Sequence, residues 1–110
     1  MFESPADSPG LHWFVILRNE DTYEIFDSLG VKRSFVKKHF PWLKKVLCVQ
    51  SKVQPKLADT CGHFCIYFAI NRLHNLDMRL SRFYRSFFSF NKEENSREAV
   101  SFVEGLKEEH

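Results

Sequence analysis

Glycine and proline are sparse, four of each among 110 residues, which excludes collagenous and low-complexity classes. No uninterrupted apolar run approaches bilayer-spanning length, so a transmembrane helix and a membrane partner are excluded. The opening MFESPADSPG lacks a basic patch followed by an apolar stretch, and no secretory signal is expected. Three cysteines are an odd number and do not make a disulfide scaffold; they point to an intracellular, reducing compartment such as the cytoplasm or nucleus. Acid is missing locally as well. Between Ser28 and Ala58 there is none, while Lys32, Arg33, Lys37, Lys38, Lys44, Lys45, Lys52 and Lys56 are all basic.

What is present fits a single globular domain over residues 1–110. Apolar residues make up 44% and charged residues 27%, the balance of a water-soluble core, and 12 phenylalanines supply large rings to bury. The net charge of +2 conceals segregation: −5 over residues 1–27, +11 over 28–92 and −4 over 93–110. Clustering of this kind bears on partners more than the total does. Trp42, Phe35 and Phe40 interleave with Lys37, Lys38, Lys44 and Lys45, offering flat faces beside cations, the pattern of a non-specific, salt-sensitive contact with DNA. The plainer reading is that these lysines only keep the domain soluble.

Along the chain, residues 1–10 read as an irregular lead-in. HWFVIL (12–17) and TYEIF (22–26) are rich in β-branched and aromatic residues and form an antiparallel hairpin, with Arg18–Asp21 as the turn. A short helix follows over Lys32–His39, stopped before Pro41. Lys45–Gln50 is a third strand, and 51–59 a loop around Gln54-Pro55. The longest helical candidate is Thr60–Leu76, capped by Asp59 or Thr60, and its FCIYFAI segment is apolar all round, as in a buried helix. Residues 81–90 are ambiguous between helix and strand. Asn95 or Ser96 caps a final amphipathic helix with Ala99, Phe102, Val103 and Leu106 on one face. The order predicts an α+β domain, a small antiparallel or mixed sheet packed against a buried helix.

The chemistry centres on Cys61 within TCGHFC. A thiol in the first turn of a helix faces unpaired N–H groups and the positive end of the dipole, both of which favour the thiolate. Such a nucleophile needs an imidazole to exchange its proton, an acceptor to orient that imidazole, and donors for a developing oxyanion. His12 opens the first strand and Asp27 follows the second, so a hairpin brings those ends side by side. Gln54 lies in the loop leading to Cys61, where its amide and the Cys61 N–H make an oxyanion hole. Taken singly, each has an ordinary structural explanation: a small buried thiol, a strand histidine, a turn aspartate and a loop glutamine. Cys48 and Cys65 read as structural. A zinc site from Cys61, His63, Cys65 and His74 lacks a recognised ligand spacing and is set aside.

Together the motifs resemble the adenovirus-protease (adenain) and SUMO/ubiquitin-like-specific cysteine peptidases. The matching pieces are His12-Trp13, Phe26-Asp27-Ser28-Leu29, Gln54-Pro55 and Cys61-Gly62-His63-Phe64-Cys65, spread over residues 11–77. The seven-residue step from Gln54 to Cys61 is similar to the adenain branch, whereas Asp27 within DSL resembles the SUMO-protease branch. That mixture suits adenain-like peptidases of virus-like DNA transposons. The resemblance implies a partial papain-like core that hydrolyses peptide or isopeptide bonds through a thioester, with His12, Asp27, Gln54 and Cys61 as its site. It implies no metal or organic cofactor, DNA as a non-covalent activator, and a viral-type precursor or ubiquitin-like conjugate as polypeptide substrate. It adds a virion-like particle to the candidate locations. Family members carry a further helical lobe before the His-Trp motif, and here eleven residues precede His12, so a truncated core is expected. The alternative is an inactive pseudo-peptidase that serves as a basic nucleic-acid-binding module.

Overall fold

A computed structural model describes residues 2–4, 12–55 and 60–108, apart from the side chains of residues 2–4, 12 and 108. The elements are β1 (Phe2–Ser4), β2 (His12–Asn19), β3 (Thr22–Phe26), α1 (Arg33–His39), β4 (Val46–Cys48), α2 (Cys61–Leu73), α3 (Leu80–Phe87) and α4 (Lys92–Glu108). Strands β2, β3 and β4 form a mixed sheet, with β2–β3 antiparallel and β3–β4 parallel. β1 extends it by pairing with the first half of β2, Ser4 opposite His12. The domain is α+β.

The period-two alternation of the strands divides the apolar side chains between two layers. Val15, Leu17 and Phe26 face α2, α3 and α4, where they join Phe64, Cys65, Phe68, Phe83, Tyr84 and Ala99. Phe14 and Ile25 face the other way, toward Val31 and Val36 under α1. Every residue from Phe64 to Ile70 is buried or half-buried, as its all-round apolarity requires. Phe26 stacks on Phe68 at 4.4 Å between ring centroids, which fixes the hairpin against α2.

Several elements differ from the sequence expectation. The lead-in contains a strand, β1, while residues 5–11 lie outside the described ones. β2 runs to Asn19 because the turn narrows to Glu20-Asp21: Glu20 adopts φ +57, and the Thr22 hydroxyl donates to the Asn19 carbonyl at 2.8 Å. Helix α2 ends at Leu73, short of Leu76. The Arg72 guanidinium takes the Asn75 and Met78 carbonyls at 2.8 and 2.6 Å, folding the chain back after the last helical turn. Thr60 is the cap residue but makes no side-chain cap bond, and Asp59 lies outside the described residues. The ambiguous 81–90 segment is helical to Phe87. The longest helix is α4, which starts at Lys92; Asn91 caps it by accepting the Glu94 N–H at 3.1 Å. Asn95 is buried inside this helix and serves another purpose, described below. Ala99 and Val103 are buried and Phe102 meets Tyr67 edge-on, the apolar face that the spacing predicts.

Candidate active site

Cys61 is the first residue of α2 and 8% exposed. Its neighbour Gly62 lies against Trp13: a Cβ at Gly62 would be 3.8 Å from Trp13 Cδ1. That contact brings the start of β2, and with it His12, to the N-terminal end of α2. Val15 pairs with Phe26, so Asp27 leaves the sheet beside Phe14, two positions along β2 from His12.

The Asp27 turn is tightly built. Asp27 Oδ1 accepts the Leu29 N–H at 2.9 Å and its carbonyl accepts the Gly30 N–H at 2.8 Å, an Asx turn. Gly30 has φ +90, and a Cβ there would collide with the Gln50 carbonyl oxygen. Only glycine suits that position. The close approach lets the segment after β4 run alongside the turn: Ser28 O accepts both the Val53 N–H at 2.8 Å and the Gln54 N–H at 3.1 Å.

Gln54 is buried, and the Ser28 hydroxyl donates to its Oε1. This bond orients the amide, so the Nε2 donors lie on the side away from Ser28. Ser28, fully buried, is thus the residue that sequence reading missed; its place directly after Asp27 was the available signal.

Electrostatics link Asp27 to α2. Burial pushes the Cys65 thiol up to about 12, and the neighbouring Cys61 and Asp27 add to the rise. Cys65 is therefore a neutral thiol at physiological pH. Burial likewise raises the Tyr84 hydroxyl, with Asp27, Cys48 and Glu24 contributing. The backbone of His12 and the residues Asp27, Gln54 and Cys61 are thus tied, through Trp13–Gly62 and Ser28–Gln54, to one end of the α2–hairpin interface.

A second polar feature, at the end of α2 opposite Cys61, escaped the sequence reading. Arg72 binds Glu24 with two parallel bonds of 2.7 and 2.8 Å, and both side chains are almost fully buried. Alternation shows why: Glu24 is two residues before Phe26 and shares its core-facing side. Among the described residues no three His, Cys, Asp or Glu are grouped to hold a metal ion, so Cys61, His63, Cys65 and His74 do not assemble the zinc site considered above. Among those residues no helix is long and apolar enough to cross a membrane. No protein-family model matches the chain, nor does any curated protein or solved structure.

Proposed function

We propose that the protein is a cysteine peptidase with a papain-like core, acting on peptide or isopeptide bonds. The observation that carries this reading is the contact of Trp13 with Gly62, which sets the start of β2, the backbone position of His12, against the helix N-terminus that carries the Cys61 thiol. In this mechanism His12 takes the Cys61 proton as Sγ attacks the carbonyl carbon. The oxyanion is held by Gln54 Nε2 and the Cys61 N–H. Collapse breaks the C–N bond, His12 returns the proton to the leaving amine, and water hydrolyses the thioester. Asp27 keeps the imidazole in the required tautomer and stabilises its cation. Ser28 acts through Gln54 and is a positioning residue.

The decisive experiment is labelling with a thiol-directed electrophile below neutral pH, read by mass spectrometry. Cys61 reacts well before Cys48 and Cys65; equal or slower reaction at Cys61 overturns the mechanism.

A second reading, an inactive relative that binds DNA, has one observation in its favour. Trp42 is 69% exposed and stands edge-on to Phe40 at 5.8 Å, among the exposed Lys37, Lys38 and Lys44. Lys45 contributes less, because its Nζ is 2.5 Å from Asp21 Oδ2. Replacing Lys37, Lys38 and Lys44 by Gln reduces the salt dependence of DNA binding under this reading, and an absence of binding at low salt removes it.

A further inference from the structure

A groove of about 740 Å3 lies on the α3–α4 side of the domain, away from α1, and neither reading above uses it. Its floor is apolar, from Val53, Tyr84 and Phe88, and its polar rim includes the exposed cations Lys52, Arg85 and Lys92. No acidic residue lines it among those described. Phe90, at its edge, is fully exposed, an unusual place for a phenyl ring.

The groove is rigidly joined to the candidate site. The buried Asn95 amide donates to the Val53 carbonyl at 3.1 Å and to the Ser89 carbonyl at 2.8 Å, while Asn95 Oδ1 accepts the Ser89 N–H at 2.7 Å. One side chain therefore clamps the two walls, the 51–53 segment and the 88–90 segment. Val53 is followed at once by Gln54, and both are hung from Ser28 O.

We propose that this groove binds an acidic polypeptide segment carrying an aromatic or aliphatic side chain; its role as a substrate-recognition subsite next to Gln54 rests on the peptidase reading. The apolar side chain fills the floor against Phe88, with Phe90 at the edge closing over it, and flanking carboxylates meet Lys52, Arg85 and Lys92. A nucleic-acid strand also offers phosphates to the cations and bases to the rings; the polypeptide is favoured because Val53 in the floor leads directly into Gln54 of the candidate site.

The test is fluorescence anisotropy with labelled hexapeptides EDFELD, KKFKLK and EDSESD and with oligo(dT), using the full chain carrying Cys61→Ser so that nothing is cleaved. EDFELD binds tightest. Lys52→Glu, Arg85→Glu and Lys92→Glu together weaken it by about tenfold or more, and Phe90→Ser by about tenfold. Replacing Lys37, Lys38 and Lys44 by Gln leaves it unchanged. The proposal falls if KKFKLK or EDSESD binds as well as EDFELD, if the groove variants bind EDFELD normally, or if those variants lose oligo(dT) rather than peptide. Labelling of Cys61 in the unmutated chain separates the two claims. Peptide docking with an inert Cys61 sinks the peptidase reading and leaves the docking surface standing. A reactive Cys61 with groove variants that bind normally sinks the docking surface alone.

Discussion

On the α2 side of the sheet Phe26, Phe64, Phe68 and Phe83 are wholly enclosed; on the α1 side Phe35 is 37% and Trp42 69% exposed around a small cluster of Phe14, Ile25, Val31 and Val36. Both sides grow from the same two strands, so the difference lies in what covers them. Three helices cover the first side and a seven-residue helix covers the second. The thick side holds Cys61, Gln54 and the Glu24–Arg72 pair, groups whose geometry needs packed neighbours on all sides. The thin side holds Lys37, Lys38 and Lys44, which need only solvent. Cations also stand on the thick side, where Lys52, Arg85 and Lys92 rim the groove.

Under the proposed peptidase reading the largest effect belongs to Cys61→Ser, which should reduce activity to background while leaving the melting temperature nearly unchanged; Cys48→Ser and Cys65→Ser should retain activity in the same assay. Asp27→Asn follows, with a rate fall of about 10²–10⁴, and Asp27→Glu should cost less because a longer carboxylate still reaches. Next in size is the buried pair. Arg72→Met strands a charge at Glu24 and should lose about 3–5 kcal/mol in urea unfolding, whereas Arg72→Met with Glu24→Leu should recover most of that loss. If the single and double variants unfold alike, the pair is not what joins β3 to α2. Phe68→Ala should likewise cost about 3–5 kcal/mol, against roughly 0.5 kcal/mol or less for Trp42→Ala on the thin side; similar losses would erase the contrast between the faces.

A smaller effect separates the faces by pH. The Cys65 thiol is neutral when protonated, and folding raises its pKa from 9.0 to about 12. The folded state therefore holds a proton that the unfolded chain releases, so this stabilisation is complete below about pH 9 and is lost as pH rises toward 12. Tyr84, also raised by burial, acts in the same direction. Cys65→Ala should flatten the alkaline fall in stability measured by thermal unfolding, and an unchanged slope would contradict a deeply buried thiol. Another small effect belongs to the exposed Lys45–Asp21 pair, for which Lys45→Ala should change stability by about 1 kcal/mol or less, and less still in high salt.

Much of this was open to reading before any fold was known. The β2–β3 hairpin, α1 stopping before Pro41, and the apolar face of α4 follow from local propensity and spacing, which act within a few residues. The chemistry-bearing types at His12, Asp27, Gln54 and Cys61 were legible as an ordered set, because a thiol, an imidazole, a carboxylate and an amide have distinct roles in acyl transfer. Helix ends were less accessible. α2 stops at Leu73 because Arg72 turns back onto the Asn75 and Met78 carbonyls, and α4 starts at Lys92 because Asn91 takes the cap and Asn95 the groove wall.

By itself, then, the sequence determined the α+β class, the charge segregation and the order of chemistry-bearing side-chain types along the chain, since these depend on composition, period and side-chain type. The tertiary structure alone decided that Ser28 orients Gln54, that Trp13 abuts Gly62, that Glu24 meets Arg72 and that Asn95 clamps Val53 to Ser89. Apart from the short step from Asn95 to Ser89, each of these joins residues far apart in the chain. Their geometry is set by register, by helix packing and by the need to satisfy every buried polar group, none of which local sequence encodes.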